Sequence, residues 1–182
     1  MRTILKIGII LIAISTIFSC SSSSSENGNH AQNDSVKKNE LVSNEITISK
    51  IEIQKKNIDS TLPYRVDTID DDDKSLEGGQ IYIFHEKNKQ KKIVENYYGE
   101  TGSETMIFYV NNDTLIYTKK IEKNYVLGDK NSKIKSIEDD MYFNNSKMIK
   151  WITSDTTNND NYPISQVNDI LQRFKEIDSV SR

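Results

Sequence analysis

The sequence predicts an α+β domain, an antiparallel β-meander of about six strands flanked by an N-terminal and a C-terminal helix. Three observations predict it. Residues 80 to 152 show apolar residues alternating at period two, interrupted by asparagine- and glycine-bearing turns. Residues 163 to 182 carry a single apolar stripe at helical spacing. Ahead of both lies a basic start, an apolar run and a polar stretch, a segment that cannot join a packed core.

The N-terminus has the order of a secretory leader. Arg2 and Lys6 precede twelve uncharged residues, Ile7 to Phe18, which end at Ser19-Cys20. Twelve helical residues span about 18 Å, short of the roughly 30 Å hydrocarbon core of a bilayer. Residues 1–19 therefore read as a cleaved signal peptide rather than a membrane span. Cys20 is the only cysteine, and Ile17-Phe18-Ser19 before it resembles a bacterial lipobox, with Phe18 standing where a small residue is usual. The resemblance implies a diacylglycerol on the Cys20 sulfur and an acylated amine, enough chains for a stable anchor, since two already suffice. It also implies the outer membrane, because a serine follows the cysteine. The run Ser21 to Ser25 opens a polar stretch, so residues 20–40 read as a lipidated flexible tether and 41–182 as one domain.

Charge and cysteine content narrow the function classes. The formal net charge is −3, and two of the cations sit in the leader, so the remainder is more acidic still. That argues against a protein held on nucleic acid by phosphate contacts. Lys87, Lys89, Lys91 and Lys92 form the densest basic cluster, at a predicted turn where a solvated loop is the ordinary reading. With Cys20 acylated no thiol remains for a disulfide, a nucleophile or a metal site.

Taken in order, residues 41 to 62 place Asn44, Ile48, Ile51, Lys55, Ile58 and Leu62 on one helical stripe that ends at Pro63, although Ile46/Ile48 and Ile51/Ile53 also fit strand alternation. Strands are predicted from Gln80, at 92–98, 104–110, 114–122, 137–143 and 147–152. Gly99-Glu100-Thr101-Gly102, Asn111-Asn112-Asp113 and Asn144-Asn145-Ser146 supply the turns. The last helix aligns Ile164, Val167, Ile170, Leu171, Phe174 and Ile177 and needs a sheet face to cover them.

Two hairpins look like copies of one unit. Phe108-Tyr109-Val110-Asn111-Asn112 matches Met141-Tyr142-Phe143-Asn144-Asn145, and Leu115-Ile116 matches Met148-Ile149, at a constant offset of 33 residues. Two-residue loops without bulges would set Phe108, Val110, Leu115, Tyr117, Met141, Phe143 and Met148 on one face. Ile107, Tyr109, Ile116, Tyr142, Ile149 and Trp151 would take the other. The second set suggests a binding face centred on Tyr109, Tyr142 and Trp151, against the ordinary alternative that a helix or long charged side chains cover it.

No residue set identifies a reaction. The histidines are His30, in the tether, and His85, at a strand end without a nucleophile elbow; cysteine–histidine zinc spacing is missing. No catalytic residue, metal ligand or cofactor is therefore assigned. Asp70 to Asp73 lack the alternate ligands of a calcium loop and read as a solvated run. Glu95, Glu100, Glu104, Glu138, Asp139 and Asp140 include candidates for a hydrolytic carboxylate pair, which depends on a separation sequence does not give.

The motifs Tyr97-Tyr98-Gly99-Glu100-Thr101-Gly102, Phe108 to Asn112 with Leu115-Ile116-Tyr117, and Tyr142 to Asn145 with Lys147 to Trp151 resemble a group of uncharacterised bacterial lipoproteins over about residues 78 to 152. Phe143 and Met148 depart from that pattern. The resemblance implies a lipid-anchored antiparallel sheet with flanking helices, and no activity. The expectation is a cell-envelope protein that meets the membrane through its anchor and binds a protein, peptide or glycan without catalysis; the alternative is a carboxylate-dependent hydrolase of the envelope.

Overall fold

The computed structural model describes residues 30–61, 64–71, 75, 77–125, 134–157 and 164–180. The chain divides into two units, Met1–Lys37 and Lys38–Arg182. Of the first, residues 30 to 37 are described and are helical. The second holds all the packing below.

Helix α1 (His30–Ser60) is followed by seven strands and helix α2 (Ile164–Val180). The strands are β1 (Arg65–Asp70), β2 (Gly79–Glu86), β3 (Lys89–Gly99), β4 (Gly102–Asn111), β5 (Thr114–Asn124), β6 (Lys135–Asn144) and β7 (Lys147–Thr153). They form one antiparallel sheet in sequence order, so each strand lies beside its chain neighbour. The architecture is the α+β meander of the sequence, with seven strands in place of six. The added strand is β1. Only Ile69 of β1 reaches the core, and its arginine and two aspartates hide the alternation, as charged residues do on protected sheet edges. Helix α1 starts at His30, inside the segment expected as tether.

Three hairpins share one construction. Lys87-Asn88, Asn112-Asp113 and Asn145-Ser146 all have positive φ, between 48° and 67°, the two-residue turn whose twist matches that of paired strands. Closing pairs Glu86↔Lys89, Asn111↔Thr114 and Asn144↔Lys147 confirm the two-residue loops. Each second strand then carries an extra residue: Lys91, Ile116 or Ile149. A bulge of this kind shifts every later side chain to the opposite face.

That shift corrects the face assignment. Tyr117 pairs with Tyr109 and joins it on one face, not Phe108 and Val110 on the other. Trp151 pairs with Met141 and packs against the other core, away from Tyr109 and Tyr142. The duplicated unit is also a triplet, since β2–β3 has the same turn and bulge as β4–β5 and β6–β7.

Each helix covers one face. Against α2 lie Ile81, Ile83, Ile93, Met106, Phe108, Val110, Leu115, Met141 and Phe143, met by Ile170, Phe174 and Ile177. Ile164, predicted on the same helical stripe, is exposed. Against α1 lie Tyr109, Tyr117 and Tyr142, met by Ile51 and Ile58.

Candidate functional site

The α1 face is built around three tyrosines in a row. The rings of Tyr109 and Tyr117 are 5.5 Å apart and those of Tyr117 and Tyr142 5.1 Å apart, both edge to face. The bulge at Ile116 is what brings Tyr117 between the other two. Over the row stands Lys55 of α1, its Nζ 3.4 Å from the Tyr117 ring centroid and 6.0 and 5.7 Å from those of Tyr109 and Tyr142. A cation over aromatic faces is attracted by the ring quadrupole. Each hydroxyl finds a carboxylate: Tyr142 donates to Glu52 Oε1 at 2.7 Å, Tyr109 to Asp59 at 2.9 Å, and Tyr117 to Asp140.

The charges around the row compensate one another. Lys55 donates to Glu52 at 2.9 Å, and Lys92 of β3 donates to Asp59 at 2.7 Å. Burial works against the Glu52 charge, but the bonds from Lys55 and Tyr142 outweigh it and hold the carboxyl below the usual range. Burial, then the carboxylate beside each hydroxyl, pushes all three tyrosines well above their ordinary value, so they stay neutral donors. Tyr109 and Tyr142 are each 6% exposed, and Lys55 occupies the space before them. They do not form an open surface, and Trp151 belongs to the opposite face, where its Nε1 donates to Asp139 at 3.0 Å.

The same sheet face continues along β3, β4 and β5 as a mixed strip, polar apart from Val94, Ile107 and Ile121, with Ile107 still packed against the tyrosine row. Val94, Asn96 and Tyr98 of β3 register against Ile107, Thr105 and Ser103 of β4, which register against Lys119, Ile121 and Lys123 of β5. None of these nine is buried, and Tyr98 and Lys123 are exposed. Thr105 donates to the Asn96 side chain at 2.9 Å, and Lys119 pairs with Glu138 at 2.6 Å.

The α2 face holds two compensated acidic clusters. Arg173 donates from Nε to Glu95 at 2.7 Å and from Nη2 to Asp71 and to the Tyr97 hydroxyl. Tyr97 donates to Asp71 at 2.8 Å. Glu95 has no exposed surface, so the guanidinium is the charge that makes its burial tolerable. Nearby, Lys120 bridges Glu104 at 3.2 Å and Glu122, which face each other across β4 and β5. Burial opposes the Lys120 charge, but the two carboxylates override it and keep it firmly protonated. Glu104 and Glu122 border an open hollow of about 350 Å³ at the β3–β4 turn. Gly102 lines that hollow too, and a Cβ there would collide with the Lys123 carbonyl.

The structure divides the carboxylates singled out in the sequence between the two faces and a turn. Glu95, Glu104 and Asp139 belong to the α2 face, Glu138 and Asp140 to the α1 face, and Glu100 to a turn. His85 is buried with Nε2 3.2 Å from Asp67, and burial, joined by the Arg65 charge, holds its pKa below 6.5. Asp71 is a structural partner of Arg173, while Asp72, Asp73 and Lys74 lie outside the described residues, as do the leader, Cys20 and the tether to residue 29. Among the described residues no group of three His, Cys, Asp or Glu side chains is placed to hold a metal ion. No described helix is long and apolar enough to cross a membrane. Sequence reasoning passed over Lys55, Glu52, Asp59 and Arg173. Lys55 stood on the apolar stripe of α1, an anomaly that signals a partner for its charge. No protein family, curated protein or solved structure matches the chain.

Proposed function

We propose that this chain is a cell-envelope lipoprotein of the kind its turn motifs resemble, held at the outer membrane by lipid on Cys20. Its folded part is a non-enzymatic binding module for a protein, peptide or glycan. The observation that carries the binding reading is the mixed strip along β3, β4 and β5. Asn96, Thr105, Ser103 and Tyr98 offer amide, hydroxyl and aromatic groups on a rigid sheet, the combination that suits a polar polymer. The strip replaces the Tyr109, Tyr142 and Trp151 surface, because α1 occupies the first two and the third faces the other way.

Two measurements test this. Intact mass of the mature N-terminus from membranes should show acyl chains on Cys20, and Cys20→Ala should release the protein to the soluble fraction. Photo-crosslinking to envelope extracts from the Tyr98 position should capture a component that the Asn96→Ala/Thr105→Ala variant loses. Equal capture by both forms removes the strip as the ligand surface.

A second reading has one observation in its favour, the hollow bordered by Glu104 and Glu122. A hydrolase acting there would need one of them free to exchange a proton, whereas Lys120 is bonded to both. Glu104→Gln and Glu122→Gln would abolish turnover of envelope glycans under that reading; unchanged turnover, or none in the parent protein, removes it.

A further inference from the structure

Helix α1 has two apolar stripes on opposite sides. Ile51 and Ile58 are buried against the sheet, while Val42, Ile46 and Ile53 lie at helical spacing on the outer side, 50%, 53% and 59% exposed. Partners from β4, β5, β6 and β7 lie on the inner side, yet nothing among the described residues covers the outer one.

The charges of the helix are sorted between the same two sides. Of the four acids from Lys38 to Ser60, Glu40 pairs with Lys147, Glu52 with Lys55 and Tyr142, and Asp59 with Lys92 and Tyr109, all toward the sheet. Glu45 alone borders the outer stripe. Helical spacing places exposed Lys38 and Lys56 along one margin of that stripe and exposed Lys50 along the other. An apolar stripe flanked by three lysines and a single acid, Glu45, with the other three acids turned toward the sheet, has the form of a helix that lies in a bilayer interface. Lysines near an anionic leaflet add attraction that falls off within a Debye length. The chain position agrees, since Cys20 precedes the first described helical residue, His30, by ten residues.

We propose that the outer face of α1 is a membrane-docking surface for anionic phospholipid, with Val42, Ile46 and Ile53 entering the interface between Lys38, Lys50 and Lys56. The lipid on Cys20 then supplies attachment and α1 supplies orientation, which turns the sheet and α2 away from the bilayer. The inference rests on the lipid-anchor reading and goes beyond it.

Because Cys20 is the only cysteine, an acylated chain with one introduced cysteine has one free thiol. The test places an environment-sensitive fluorophore on Ile46→Cys, Ile53→Cys or, as a control, Val66→Cys on β1, in the full acylated protein on phosphatidylethanolamine vesicles with and without phosphatidylglycerol. Expected is a blue shift and loss of iodide quenching at positions 46 and 53 on the anionic vesicles, with no change at position 66. The Lys38→Glu/Lys50→Glu/Lys56→Glu variant should lose the shift, and survival of the shift in that variant overturns the pairing with anionic lipid. Quenchable labels at 46 and 53 on a protein whose mass shows acylated Cys20 overturn the docking surface and leave the anchor standing. A mass without acyl chains removes the anchor itself. A blue shift that grows with protein concentration in the absence of vesicles assigns the stripe to a second copy of the chain and overturns the lipid.

Discussion

The two faces of the sheet are covered by different means. Under α2 the contact is made by aliphatic and phenylalanine side chains, with a buried ion cluster at Arg173; under α1 it is made by tyrosines, a lysine and carboxylates, with Ile51 and Ile58 the buried isoleucines among the described residues of the helix. Apolar packing gains free energy in proportion to area and tolerates little empty space. The α1 contact gains less from area and more from fixed geometry: each hydroxyl has one carboxylate and Lys55 one place over the rings. The α2 side is therefore expected to set global stability and the α1 side to set how its helix is seated.

The largest test of that contrast is Phe108→Ala, which empties a site at 0% exposure beside Phe174 and should cost about 3 to 5 kcal/mol in denaturant unfolding. A loss under about 1 kcal/mol would mean that the α2 face is not the main core. Next is Arg173→Met, which leaves Glu95 buried without its guanidinium and should cost about 3 kcal/mol, with much of the loss recovered in Arg173→Met/Glu95→Met. Failure of the double variant to recover would show that the cluster does more than compensate charge.

On the other face Lys55→Met should cost only about 1 kcal/mol, because it removes a cation from over the rings while keeping the stem. Near-ultraviolet circular dichroism should change more than the unfolding midpoint does, reporting the three tyrosines. A midpoint drop as large as that of Phe108→Ala would erase the distinction between the faces.

The smallest effect expected is a pH dependence from His85. Its pKa is held below its ordinary value of 6.5 by burial, so the unfolded chain takes up a proton first as pH falls. Stability contributed by neutral His85 is thus full above 6.5 and declines as pH drops toward the folded value. Thermal unfolding between about pH 8 and pH 5 should show that decline, and His85→Asn should flatten it. An unchanged slope in the variant would assign the decline to other groups.

How much was legible follows from particular residues. The strands from Gln80 to Ile152 and the C-terminal helix were readable because alternation and a helical stripe are local patterns, and the Asn112 and Asn145 turns because asparagine accepts positive φ. The β1 strand was not, since Arg65 to Asp70 becomes a strand only by pairing with β2. The third hairpin escaped notice because Lys87-Asn88 and the bulged Lys91 preserve the backbone path of the other two with different side chains.

By itself the sequence determined the strands from Gln80 onward, their antiparallel order, the C-terminal helix and the places of the asparagine turns, all consequences of patterns within a few residues of one another. Which face each tyrosine and the tryptophan occupy was decided only in the tertiary structure. One extra residue at Ile116 or Ile149 reverses everything after it, and a bulge leaves no mark in the alternation of a strand that is apolar on both sides. The pairing of Lys55 with three rings and of Arg173 with Glu95 was decided there too, because charge compensation across a sheet depends on contacts between residues 54 to 87 and 78 positions apart in the chain.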